Sequence, residues 1–148
     1  MNNSMELKIK AISINESFAR TVVASFCLQL CPTIEELNDI KTAVSEAVTN
    51  SIVHAYPNKS GDVVIKAKIV DENVVEISIC DDGVGIADYE KAKEPFYTSK
   101  PEFERSGMGF AVMESFMDSL SLSSNGGKGL KVVMTKKIGK EILEASGR

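Results

Sequence analysis

SEAVTNSIVHA, residues 45–55, sets Glu46 and Asn50 four positions apart inside a helical pattern. On an α-helix that spacing stacks both side chains on one face, one turn apart. The acid can take a proton from a hydroxyl or a water. The amide oxygen can ligate a hard cation such as Mg2+. Any solvated helix face can carry Glu and Asn, so the pair gains weight only from motifs elsewhere in the chain.

The helix holding this stretch starts at a capping box, Thr33 followed by Glu36 just after Pro32. Its apolar stripe is Ile34, Leu37, Ile40, Val44, Ala47, Val48 and Ile52. The pattern runs to Ala55, and Pro57 disfavours helix at Tyr56. Upstream, residues 6–14 alternate as a strand. Asn15 can cap a helix over about 16–30 with the stripe Phe18, Val22, Val23, Phe26, Leu30. Arg20 falls off that stripe and is expected on the exposed side.

Downstream, 63–70 and 74–80 alternate as two strands joined by Asp71-Glu72-Asn73, a hairpin. The second strand runs directly into Asp81-Asp82-Gly83-Val84-Gly85. Glycines there allow a sharp turn and a close ligand approach. Asp81 could accept a hydrogen bond from an exocyclic amine, although a plain Asp-Gly turn reads the same way.

Residues 87–106 have weak periodicity, Pro95, Pro101 and many charges. A connection of that length is commonly a lid. It ends at Gly107-Met108-Gly109, whose free N–H groups at a helix start can cradle phosphate. Lys100 and Arg105 could add positive charge there. A helix fits 110–119 with Phe110, Met113, Phe116 and Met117 inward. Strands occupy 120–124 and 130–137, around the turn Asn125-Gly126-Gly127. The charged tail from Ile138 is expected to fray.

The order strand, two helices, hairpin, lid, helix, hairpin reads as α+β: a mixed, mostly antiparallel sheet with helices on one face. The chain has 148 residues, 43% hydrophobic and 26% charged, which suits one domain, residues 1–148, with a core near 5–137. Net charge −4 with dispersed Lys and Arg gives no footprint for direct nucleic-acid binding. No run approaches the roughly 20 apolar residues of a membrane span, and the N-terminus lacks a signal core, so the expected location is cytoplasmic. Cys27, Cys31 and Cys80 form no CxxC pair and are expected to be small buried thiols. His54, the single histidine, is expected to cap or pack the helix end.

Together, ExxxN on a helix, DxGxG after a strand, a long lid and GxG before a helix resemble the boxes of the GHKL ATPase/kinase superfamily. That family includes gyrase and the histidine kinases, and the resemblance implies a two-layer ATP-binding fold. NESFAR at 15–20, SEAVTN at 45–50, DDGVGI at 81–86 and FYTSKPEFERSGMGFAVME at 96–114 are similar to the anti-sigma F factor family of sporulating bacteria. These are small serine-protein kinases, and the resemblance runs from about residue 5 to 137.

By that resemblance Glu46 is the catalytic base, Asn50 binds Mg2+, and Asp81 reads the adenine amine. Gly83 and Gly85 shape the pocket wall. Gly107, Met108 and Gly109 lie at the phosphates, with Thr98, Ser99, Lys100 and Arg105 as lid contacts. Arg20 grips protein partners. The implied ligands are ATP or ADP with Mg2+. The implied partners are sigma factor F, an anti-anti-sigma factor carrying the acceptor serine, and a second copy in a homodimer. Two alternatives stay open: a general-stress anti-sigma kinase with the same chemistry, and a nucleotide-gated switch module without phosphoryl transfer.

Overall fold

A computed structural model describes residues 2–93 and 109–139. Its strands are β1 (Ser4–Lys10), β2 (Asp62–Val70), β3 (Val74–Asp81), β4 (Ser119–Asn125) and β5 (Lys128–Lys137). Its helices are α1 (Ile14–Cys27), α2 (Ile34–Asn50), a short α3 (Tyr89–Ala92) and α4 (Gly109–Phe116). The five strands lie in the order β1-β2-β3-β5-β4, and each described pairing is antiparallel. Both hairpins form where the alternation placed them.

Period-two alternation sorts the sheet into two faces. Val63, Ile65 and Ala67 of β2, Val75, Ile77 and Ile79 of β3, and Leu130, Val132 and Met134 of β5 join one core. Ile40, Ala43, Val44, Ala47 and Val48 of α2 and Phe110 and Met113 of α4 close it from the helix side. Burying a side chain such as Ile65 or Ile77 contributes roughly 1.5–3 kcal/mol, so this face fixes the register. The opposite face carries Lys66 paired with Glu6 at 3.8 Å and Lys68 paired with Glu76 at 3.3 Å.

The capping box forms as expected. Glu36 N–H donates to Thr33 Oγ1 at 3.0 Å, and Thr33 N–H donates to Glu36 Oε1 at 2.9 Å. Beyond Asn50 the helix continues through Ala55 as a π-helical turn, so the predicted end holds while the winding changes. Such wider turns cluster at functional positions.

Several expectations are corrected. The buried line of α1 is Ala19, Val23, Ala24 and Cys27, whereas Phe18 is 51% exposed. Small residues line the α1 face against the core, Phe26 and Leu30 pack partly buried beside them, and Phe18 is left outside. Ile34 and Phe116 are also exposed rather than inward. Asn15 does not cap α1; Ser13 precedes the helix, and Asn15 Nδ2 donates to the Lys10 carbonyl instead. Ile138 is not frayed but 2% exposed, held by its N–H donating to Asn73 O at 2.8 Å. Cys27 and Cys80 are buried, but Cys31 is exposed. Among the described residues no helix is long and apolar enough to cross a membrane.

Candidate nucleotide site

Three segments converge where α2 ends, β3 ends and α4 begins. Asn50 closes α2, is 8% exposed, and its Nδ2 has no hydrogen-bond partner among the described residues. Gly109 opens α4 against it: a Cβ on Gly109 would lie 2.8 Å from Asn50 Nδ2. A side chain at position 109 would push the Asn50 amide from its place, so glycine lets α4 start against that amide as it stands. The structure therefore brings the helix-borne amide and the last glycine of GxG together.

Asp81, at the carboxyl end of β3, is 3% exposed. Its Oδ2 accepts from Ser51 Oγ at 2.9 Å. Its Oδ1 accepts from Gly83 N–H at 3.0 Å and from Leu130 N–H at 3.3 Å. Burial pushes the Asp81 carboxyl above its ordinary value; the Gly83, Ser51 and Leu130 bonds pull it back, and Asp82 adds a further upward push. Each carboxylate oxygen has two acceptor sites, so the set leaves capacity for an incoming donor.

Backbone fit explains the glycines after Asp81. A Cβ on Gly83 would lie 2.1 Å from the Ala55 carbonyl oxygen, and the next residue, Val84, donates its N–H to that oxygen at 2.9 Å. Gly85 has φ +73, a left-handed value that glycine adopts without strain. Tyr56 adds a brace: its hydroxyl donates to Asp62 O at 2.6 Å and accepts from Asp82 N–H at 2.9 Å. The π-helical turn, the β3 end and the β2 start are thus tied together.

Glu46 lies one turn before Asn50, half-buried in a crevice between α1 and α2. The crevice has a volume of about 340 Å³ and is lined by Arg20, Asn38, Lys41, Thr42, Ser45 and Glu46. Arg20 is therefore not fully exposed. Its side chain is 35% exposed, with Nε 3.6 Å from Glu16 Oε2 and one guanidinium N–H donating to Ser17 Oγ at 3.3 Å. His54 lies half-buried in the π-helical turn. Thr98, Ser99, Lys100, Arg105, Gly107 and Met108 lie outside the described residues.

Sequence reasoning missed Ser51 and Gly129. Ser51 comes after Val44, Ala47 and Val48 on the buried stripe, and a hydroxyl at such a position was a signal for a buried acceptor. Gly129 has φ +73, and a Cβ there would lie 2.0 Å from the Asp81 carbonyl oxygen. It lies just past the Asn125-Gly126-Gly127 turn, near the start of β5, where nothing in the local pattern marks its contact with β3.

The fold and this convergence define the class, a histidine kinase-like ATPase domain; residues 14–136 match the family of that description. Two solved structures share the fold. A mycobacterial sensor histidine kinase, MprB, aligns with TM-score 0.56 at 20% identity, over 69% of this chain and 72% of that one. A blue-light activated histidine kinase of Erythrobacter litoralis aligns with TM-score 0.58 at 19% identity, over 83% of this chain and 42% of that one.

Sequence relatives narrow the class, and the chain belongs to the anti-sigma F factor family. The anti-sigma F factor of Caldanaerobacter subterraneus is 60% identical over 139 residues, 94% of this chain and 96% of that protein. That of Clostridium acetobutylicum is 56% identical over 137 residues, 93% of this chain and 95% of that protein.

Proposed function

We propose that this chain is a single-domain anti-sigma factor that binds sigma factor F. In the same reading it is an ATP-dependent protein kinase that phosphorylates a serine of its anti-anti-sigma antagonist. It acts as a homodimer in the cytoplasm. The observation that carries the kinase reading is the pairing on α2: Glu46 faces the α1–α2 crevice, while Asn50, one turn on, abuts Gly109.

The residues present suit a magnesium–nucleotide ligand. Asn50 offers a buried amide whose Nδ2, without a hydrogen-bond partner among the described residues, can donate to a phosphate oxygen, while its oxygen is of the hard type that Mg2+ takes. No group of three or more His, Cys, Asp or Glu side chains is poised for a metal among the described residues. A cation at Asn50 would complete its shell from phosphate and water oxygens, a habit of Mg2+. When bound, Mg2+ would neutralise charge on the phosphates.

The chain's own groups would do the rest. Asp81, held from three sides, accepts the exocyclic amine of adenine and orients the base. The N-terminus of α4 at Gly109 would offer backbone N–H groups to the phosphates. Glu46 takes the proton from the acceptor serine hydroxyl as its oxygen attacks the γ-phosphorus. The new serine O–P bond forms as the bond from the γ-phosphorus to the bridging oxygen breaks. ADP leaves, and Glu46 returns its proton to solvent.

The test is incubation with γ-labelled ATP, Mg2+ and the candidate antagonist, with the labelled residue then mapped. Label on one serine of the antagonist is the expected result. Nucleotide-dependent binding of sigma factor without any phosphoprotein would replace the kinase by a switch module. Competition between sigma factor F and a general-stress sigma factor for binding tests the choice of partner.

A further inference from the structure

The α1–α2 crevice has room and polarity that the nucleotide reading does not use. We propose that it seats the acceptor-serine segment of the substrate protein, and that Lys41 there pairs with a carboxylate about two residues from that serine. This rests on the kinase reading, because Glu46 is taken as the base.

A general base must come within about 2.6–3.2 Å of the hydroxyl it deprotonates. Glu46 lines the crevice, so the acceptor serine must enter it. A volume of about 340 Å³ takes a few side chains of an inserted segment. Two cations line the walls. Arg20 already has Glu16 Oε2 at 3.6 Å and Ser17 as partners. Lys41 makes no ion pair among the described residues. It is the crevice charge left for an incoming anion.

Geometry sets the spacing. Residues 41 and 46 are separated by about 7.5 Å along α2 at the helical rise. An extended segment covers that distance in about two residues. Ser45 lies between them, and its Oγ is buried in the wall without a hydrogen-bond partner among the described residues.

Steady-state transfer to the substrate protein tests this with Lys41→Gln and Lys41→Glu, and KM for ATP is measured alongside. The expected result is KM for the substrate protein raised about tenfold by Lys41→Gln and further by Lys41→Glu, with kcat within about twofold. Reversing the substrate's carboxylate to lysine should restore Lys41→Glu. Wild-type KM in both variants would overturn the proposal, as would a change confined to kcat or to KM for ATP. So would weaker binding of sigma factor with transfer unchanged, which would give the crevice to that partner. If the wild-type chain transfers no label at all, the kinase reading fails and this one with it.

Discussion

Ser51 Oγ donates to Asp81 Oδ2 at 2.9 Å, joining the helix of Glu46 and Asn50 to the end of the central strand. The pair fixes the carboxylate against α2, so the proposed adenine contact and the proposed phosphate contacts share one rigid frame. The bond also sets the acid–base state of the site. Burial raises the Asp81 carboxyl above 3.8, and the Ser51 bond is one of the groups opposing that rise. If the ionised carboxylate accepts the adenine amine, nucleotide affinity should fall as pH drops, with a midpoint above 3.8. Ser51→Ala should move that midpoint higher and cost about 1–3 kcal/mol of stability, read by denaturant titration. An unmoved midpoint would remove the bond from the site's chemistry.

Asp81→Asn separates binding from folding. A folded carboxyl raised above its unfolded value favours folding fully below 3.8, and that contribution is lost as pH rises through the folded value. At neutral pH the ionised Asp81 is therefore a net cost to the fold that an amide lacks. The amide oxygen can keep the Gly83 and Leu130 bonds, and the Ser51 hydroxyl can turn to accept. Stability at pH 7 should hold or rise, while ATP affinity falls by about tenfold or more through loss of the charged acceptor. Thermal melts and nucleotide titration of the same sample check both signs.

Gly126, in the β4–β5 turn, and Gly129, near the start of β5, both have a left-handed backbone, with φ +66 and +73. They differ in surroundings. A Cβ on Gly129 would lie 2.0 Å from the Asp81 carbonyl oxygen, whereas one on Gly126 would meet nothing within 4 Å. Gly126→Ala should cost about 1 kcal/mol, the backbone term alone. Gly129→Ala should cost at least about 2 kcal/mol more, because β5 must shift from β3. Equal losses in urea titrations would show that β5 yields freely there.

Much of this was legible from short-range pattern. The Thr33–Glu36 box, the two hairpins and the α2 stripe through Val48 depend on neighbours within four residues or on strict alternation. The convergence of Asn50, Asp81 and Gly109 was foreseeable only from the order of their motifs. What failed depended on partners far away in the chain. In α1 the expected stripe Phe18, Val22, Val23, Phe26 and Leu30 holds at Val23, Phe26 and Leu30, but the buried line runs through Ala19, Val23, Ala24 and Cys27 and leaves Phe18 outside. Helical periodicity cannot choose between neighbouring lines, whereas packing against the core selects the smaller side chains. Arg20 shared the same error, since turning the helix brought it to the crevice edge. Ile138 carries no local signal of order; its anchors are Asn73 O and the neighbouring bond from Gly139 N–H to Glu36 Oε2 at 3.0 Å.

The three cysteines should react in distinct ways. Cys27 is fully buried between α1 and the core, and burial pushes its thiol up to about 12. Cys80 is buried as well, and desolvation raises its thiol too. Cys31 is exposed just beyond α1. The thiolate is the reactive form, so a disulfide reagent at pH 8 should label one thiol per native chain rapidly and all three after denaturation. Mass mapping should place the first label on Cys31. Fast labelling of Cys27 would show that α1 opens from α2 in the native state.

Glu46→Gln isolates the proposed base from the site around it. Glutamine keeps the length and hydrogen-bonding reach of the side chain but cannot hold a proton at neutral pH. Asn50, Asp81 and Gly109 are untouched, so ATP affinity should stay within about twofold. Transfer to the substrate serine should fall by about 10²–10⁴-fold, the usual worth of general-base catalysis. Single-turnover measurements with saturating antagonist separate that loss from any change in docking at the crevice. A variant that transfers label at the wild-type rate would remove Glu46 as base. The proton would then go directly to solvent or to a residue outside α2.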